Sequence, residues 1–279
     1  MKIRHTSLTY ERAFNNGFTN TVTLANRKID PHFSFRYTRD FDGNNDPIKT
    51  DTVMNESTIA LTARFAYREK FLKGKFQRVS LGSDYPILSL TYTLGLKGVL
   101  GSDYNYNRLD FNLFDWFYAN PVGWVSYRIK AGKIFGELPF PLLHVHPGNE
   151  TYFYNIFSFN NMNEYEFISD TYVTLFITHH FDGFIFNRIP LLRLLKLRFL
   201  TDAKITYGWL SENNRRNNTD ELNFQGNWEL TAPKPYVEVS AGIENILSLF
   251  RIDLVRRLTY LDKPNAPKWG LRAGMQLMF

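Results

Sequence analysis

The densest group of side chains that could do chemistry is the run His144-Val145-His146-Pro147-Gly148-Asn149-Glu150. On a strand, His-x-His projects both imidazoles from one face, a usable metal chelate, and Glu150 could supply a third ligand. The competing reading has both histidines packing a loop and making hydrogen bonds. No further acid–base pair of the kind a hydrolase needs accompanies them, so no metal is expected. His179 and His180 are neighbours and point to opposite faces of a strand, which prevents joint chelation. Asp182 and Arg188 close by suit a turn network. Ser158 and Ser169 raise the serine–histidine chemistry of an outer-membrane phospholipase, but no spacing ties either to a histidine and an orienting Asn or Asp. Gly95-Leu96-Lys97-Gly98 leads into no helix and is no phosphate loop. The chain has no cysteine, which excludes disulfides and thiolate metal sites. No catalytic residue and no cofactor are expected, and the chain reads as a non-enzyme.

The elements that would carry these residues read as strands. Phe, Trp and Tyr make up 16% of the chain, with 25 Phe and 16 Tyr, yet mean hydropathy is −0.31. A transmembrane β-barrel combines these properties because only alternate residues face lipid. No apolar run approaches the ~20 residues of a membrane-crossing helix. The net charge of +6 could mark a nucleic-acid surface. The basic residues are instead dispersed through alternating segments, as expected where they line a polar lumen, and no nucleic-acid partner is expected.

Period-two alternation runs along most of the sequence. Trp269, Leu271, Ala273, Met275, Leu277 and Phe279 share one face of the last segment, with Gly270, Arg272, Gly274 and Gln276 on the other. Val125, Tyr127, Ile129 and Ala131 alternate with Ser126, Arg128 and Lys130. Similar alternation sets Ile59, Leu61, Ala63 and Phe65 against Thr62 and Arg64, and Phe199, Ala203 and Ile205 against Arg198, Asp202 and Lys204. Val237, Val239 and Ala241 oppose Glu238 and Ser240, and Phe250, Ile252 and Leu254 oppose Arg251 and Asp253. About eleven such strands are expected, most near the ~10 residues of a tilted transmembrane strand. Tyr10, Tyr67, Trp116, Tyr118, Trp124, Tyr207, Trp209, Tyr260 and Trp269 lie near strand ends, where interfacial girdles belong. Phe14-Asn15-Asn16-Gly17, Asn120–Gly123 and Asn245–Ser248 read as tight turns, and 30–55, 138–169 and 210–234 as long connections. Residues 183–196 have an apolar-basic helical look suited to a membrane interface, with an extended turn as the alternative.

The fold expected is therefore all-β: an antiparallel transmembrane β-barrel portion over 1–279, with the long loop 138–169 folded into the lumen. The final strand ending in Phe279, with Trp269 and Leu277 on its apolar face, resembles the signal read by barrel-assembly machinery. The last six strands resemble the C-terminal half of the surface-antigen superfamily of sixteen-stranded outer-membrane barrels, which includes the BamA and TamA assembly proteins. Counted back from Phe279, 138–169 falls between the eleventh and twelfth strands, where that family places a long loop that returns into the lumen. The family's Val-Arg-Gly-Phe loop signature is absent from it. The runs Pro141–Asn155 and His179–Leu192 are similar to a Gram-negative outer-membrane family of unknown function whose members carry an N-terminal carboxypeptidase-regulatory-like domain. This resemblance implies about five further strands and that domain upstream. It implies no peptidase activity, because the namesake domain is a non-catalytic sandwich. No signal peptide is visible after Met1, so an export signal is expected in the missing upstream part.

The lumen-facing basic residues expected from alternation include Arg128, Lys130, Arg198, Lys204 and Arg272, with Arg64 and Arg251. Glu137, Glu150, Glu164 and Glu166 lie in or beside the long loop. Acidic loop groups among basic wall groups would lock the loop as a plug through charge-assisted hydrogen bonds; independently solvated charges are the alternative. The resemblance implies an outer-membrane location, with membrane lipid, the barrel-assembly machinery and other outer-membrane proteins as partners. It ranks help in assembling or translocating outer-membrane or surface proteins first, ahead of a solute pore or a platform for a periplasmic domain or partner complex.

Overall fold

The computed structural model describes residues 2–30, 37–41, 47–51, 53–74, 78–218, 234–262 and 266–275. Its strands are β1 (Lys2–Ala13), β2 (Phe18–Asp30), β3 (Tyr37–Phe41), β4 (Pro47–Asp51), β5 (Met54–Ala66), β6 (Lys70–Lys73), β7 (Arg78–Gly82), β8 (Ile87–Gly95) and β9 (Tyr106–Tyr118). They continue as β10 (Trp124–Phe135), β11 (His144–Val145), β12 (Ile168–Ser169), β13 (Thr171–His180), β14 (Arg198–Trp209), β15 (Tyr236–Ile246), β16 (Phe250–Arg257) and β17 (Trp269–Met275). Eleven of them form one antiparallel sheet in the order β1-β2-β5-β8-β9-β10-β13-β14-β15-β16-β17. The pairs β3–β4, β6–β7 and β11–β12 are small separate ladders inside connections. The all-β reading and the eleven strands hold. The described sheet is open, with β1 and β17 at its edges.

Each strand of the large sheet pairs with the next sheet strand along the chain, so the topology is an antiparallel meander, and tight turns set the register where they join neighbours. Gly17 has φ 89° in the first turn, and a Cβ there would stand 2.7 Å from the Ala66 carbonyl oxygen. Turns also close at 119–123 and 247–249, near the positions expected. The two ends of the sheet are less unequal than the sequence suggests. The end bearing the short turns also carries the β6–β7 hairpin and the connection 181–197. That second connection is helical, with a short α1 (Pro190–Leu194), as its apolar-basic pattern suggests. The segment 210–218 holds α2 (Glu212–Asn217); most of 210–234, and much of 30–55, lies outside the described residues.

Ladder registers put the alternating sets on two faces of the sheet. Arg128 faces Phe114 and Phe176 in its neighbours, and Lys204 aligns with Phe176 and Glu238. The polar set thus shares one face from β1 to β17. The apolar set shares the other, and it is the exposed one. In β16, Phe250, Ile252 and Leu254 are exposed, whereas Arg251, Asp253 and Arg257 are buried. Leu8 is 70% exposed, Leu271 66% and Met275 69%. This inverts the pattern of a water-soluble sheet, where the apolar face packs on the core.

Aromatic placement differs from the expected girdle in three cases. Tyr10, Tyr207, Trp209 and Trp269 lie with the apolar set. Trp116, Tyr118 and Trp124 lie with the polar set, because Trp116 pairs with Ser126 and Tyr118 with Trp124. Trp124 stacks on His180 at 3.9 Å between ring centroids, and the Trp116 indole N–H donates to the Ser83 carbonyl. The alternation of Ser126 and Arg128 against Val125 and Tyr127 already carries this parity. Proximity to a strand end does not decide which face a ring takes.

Candidate functional site: a loop latched to the polar face

Residues 136–170 connect β10 to β13 and fold onto the polar face. The loop brings its own apolar core. Leu138, Phe140, Leu142, Leu143 and Ile168 pack with Ile29, Met54, Tyr104, Tyr106 and Ile134. Farther in, Phe159, Met162 and Phe167 pack with Phe176 and Tyr236 of the sheet. This explains the loop's apolar, proline-bearing composition: it is an interior segment. Its first turns are held from α2 and the residue after it: the Asn214 side-chain oxygen accepts the Leu138 N–H at 2.9 Å and that of Asn218 accepts the Phe140 N–H at 2.8 Å.

His144 and Val145 pair with Ser169 and Ile168. His146 is fully buried. Its Nε2 lies 2.9 Å from the Ser169 hydroxyl and its Nδ1 3.1 Å from that of Thr206. With both nitrogens engaged and water excluded, burial pushes His146 down to about 3. His144 stacks on Tyr172 at 3.5 Å. Burial, then the neighbouring His146, Arg108 and Lys130, hold it well below the usual histidine range. Ser169 and His146 thus make a serine–histidine contact that sequence spacing gave no reason to expect. The third group is a hydroxyl, not a carboxylate, and both Ser169 and His146 are sealed from solvent, so a substrate could not reach the pair.

The remaining loop residues build its turn. The Pro147 carbonyl accepts the Phe159 N–H at 2.8 Å. Gly148 lies where a Cβ would stand 2.3 Å from the Asn163 carbonyl oxygen, so the two limbs of the loop touch backbone to backbone. Asn149, buried, donates to the Phe153 carbonyl and to Asn160 Oδ1 at 2.7 Å each, and accepts from Thr151. Glu150 accepts the Glu164 N–H at 3.0 Å instead of joining the histidines. Among the described residues, no three His, Cys, Asp or Glu side chains come together as a metal site.

The charge scheme differs from acidic loop groups locked by basic wall groups. Only Glu166 follows it, in a bidentate pair with Arg257 at 2.6 and 3.0 Å, and Arg257 was outside the expected set. Elsewhere, charged sheet side chains grip loop backbone. Glu238 accepts the N–H groups of Asn160 at 2.7 Å and Asn161 at 3.0 Å. Lys204 donates to the carbonyls of Asn155 at 2.8 Å and Ser158 at 2.6 Å, and Arg272 donates to that of Asn160 at 2.6 and 3.0 Å. Arg251 is held by Asp202 and Asp253 within the sheet, Arg64 by Glu69, and Arg198 by Asp182, which takes the place of an Asp182–Arg188 network. Glu137 meets Asn213 and Asn217 of α2. His180 pairs with Glu244 on the polar face, while His179, on the other, meets the Val122 carbonyl.

The loop also reaches the sheet edge. The Tyr154 N–H donates to the Ala273 carbonyl at 2.7 Å and the Ala273 N–H to that of Tyr152 at 3.0 Å, a parallel bridge of Phe153 with β17. Of the C-terminal residues singled out from sequence, Trp269 lies on the exposed apolar face; Leu277 and Phe279 lie outside the described residues.

No curated protein matches the sequence. Residues 3–220 match the family of unknown function (DUF5686), C-terminal domain. That match spans most of the chain and takes in the first eight strands of the large sheet, β1 to β14 in its order, and the whole latched loop, and the chain therefore belongs to this family.

Proposed function

We propose that this chain is the membrane-embedded part of an outer-membrane β-barrel of surface-antigen type, and that it helps other outer-membrane or surface proteins to insert or cross at the β17 edge. The apolar set on the exposed face supports the membrane reading: in lipid such a face is solvated by acyl chains, and in water it would be a large aggregation-prone patch. The single observation that carries the assembly reading is the pairing of Tyr152 and Tyr154 with Ala273. An edge strand offers N–H and C=O groups to any incoming strand. Here the chain's own loop fills that place through two hydrogen bonds, and exchange with a client strand would conserve them.

The test is a disulfide between Phe153→Cys and Ala273→Cys in the full-length protein in cells; this chain contributes no other cysteine. Oxidation is expected to lower the amount of outer-membrane proteins reaching the membrane, with recovery on reduction. Normal assembly with the lock closed would remove the proposal. A gated solute pore is the second reading, favoured by the loop's covering of the polar face over β13–β17. On that reading the intact protein is silent in planar bilayers and a deletion of 138–169 conducts; steady conductance by the intact protein would favour a plain pore.

A further inference from the structure

Nearly every cation on the polar face has a partner. Arg27 pairs with Glu56, Arg64 with Glu69, Arg108 with Asp110, Arg251 with Asp202 and Asp253, and Arg257 with Glu166. Lys204 and Arg272 hold loop carbonyls. Arg128 and Lys130 of β10 are different. They stand two residues apart on the same face, half-buried, and among the described residues neither has a carboxylate or hydrogen-bonded partner. The side-chain oxygen of Asn112, opposite Lys130 in the register, is buried and also has no partner among them. Two like charges side by side on a half-buried surface are unfavourable unless an anion joins them.

The Arg128 guanidinium is held between two rings, 5.2 Å from Phe114 and 4.6 Å from Phe157 at the tip of the latched loop. It borders a cleft of about 250 Å³ between loop and sheet, whose walls include Trp124, Ser126, Phe157 and Thr178. An apolar cavity of roughly 150 Å³ holds a benzene molecule. This cleft therefore has room for a ring and a charged group, and its walls are aromatic with a cation at one side.

We propose that Arg128 anchors a binding site for a small aromatic anion in this cleft, with its phosphate or carboxylate on the guanidinium and its ring against Phe157 and Trp124, while Lys130, two residues along the same face and outside the cleft's lining, adds positive charge nearby. Guanidinium matches either group in a two-point hydrogen bond, and the flanking rings fix its plane. Because Phe157 belongs to the loop tip, an occupied site would tie that tip to β10. The site goes beyond the assembly reading and does not depend on it.

The test is isothermal titration of the full chain in a neutral maltoside detergent with phenyl phosphate and, separately, inorganic phosphate. Phenyl phosphate is expected to bind saturably and more tightly than inorganic phosphate. Arg128→Gln should weaken it roughly tenfold to a hundredfold, the loss of a charge-assisted contact, and Arg128→Lys should restore part of the affinity. Phe157→Ala, at a half-exposed loop tip, should bring the two anions closer in affinity while leaving the fold intact. Absence of saturable binding to the unchanged chain, or equal affinity in Arg128→Gln, would overturn the site. Equal affinity for the two anions in the unchanged chain would overturn its aromatic selectivity.

Discussion

Breaking the Glu166–Arg257 pair from its two sides should cost different amounts. The pair is deep, with Arg257 fully buried and Glu166 nearly so, and it joins loop to sheet across 91 residues. Removing one member of a buried pair typically costs about 3–5 kcal/mol, mostly because the other charge is left unpaired. Glu166→Gln leaves Arg257 its contacts with the carbonyls of Thr259 at 2.9 Å and Tyr260 at 3.1 Å, which places it toward the lower end. Arg257→Met leaves the Glu166 carboxylate only the Asn163 N–H at 2.9 Å as a described partner, which places it toward the upper end. The double variant Glu166→Leu with Arg257→Met removes both charges and should recover much of the loss. Expressed as loop opening, about 3–5 kcal/mol is roughly a hundredfold to a few thousandfold. Hydrogen exchange of peptides covering 155–169, measured by mass spectrometry in detergent, reads that opening. Exchange should accelerate most in Arg257→Met, less in Glu166→Gln, and least in the double variant. Unchanged exchange in Arg257→Met, or a double variant as open as the worse single, would refute the latch.

Glu238→Ala leaves the buried N–H groups of Asn160 and Asn161 without an acceptor; at about 1–3 kcal/mol each it should lower the denaturation midpoint clearly, and Glu238→Gln, which keeps one acceptor oxygen, should lower it less. Acidification should detach the loop through His146. Its pKa is about 3 folded against about 6.5 when freed, so the opened state takes the proton first; its contribution to stability is full above about pH 6.5 and falls by roughly 1 kcal/mol per unit toward pH 3, and His144, also held low by burial, adds a fall of the same sign. Exchange of 140–150 followed against pH should show this slope, and His146→Gln should flatten it relative to the unchanged chain. Gly148→Ala must move the Asn163 carbonyl, 2.3 Å from the new Cβ, and should raise protease sensitivity within 147–165; a resistant variant would show that the loop yields there at no cost.

The sequence determined the sheet. Alternation along a strand is local, since successive side chains point to opposite faces whatever the strand pairs with. The eleven strands, the two faces and the turn at Asn16-Gly17 were therefore legible, and the helical reading near Pro190 was one of two; Trp116 and Trp124 were misplaced in a girdle although the same alternation carries their parity. The loop's inward position was inferred from where it falls between the strands, and its apolar limbs, though not its exposed tip, are consistent with it. Which groups hold it was not legible. Arg257 reaches Glu166, and Glu238 reaches Asn160 and Asn161, across more than seventy residues. Contacts of that span depend on the depth and rotation at which the loop settles on the sheet, which no local period encodes. The same holds for the contact of His146 with Ser169 and Thr206 and for the pairing of Phe153 with Ala273. Tertiary structure alone decided that charged side chains of the sheet would grip loop backbone, because loop N–H and C=O groups buried away from water need partners and the polar face was the surface that could supply them.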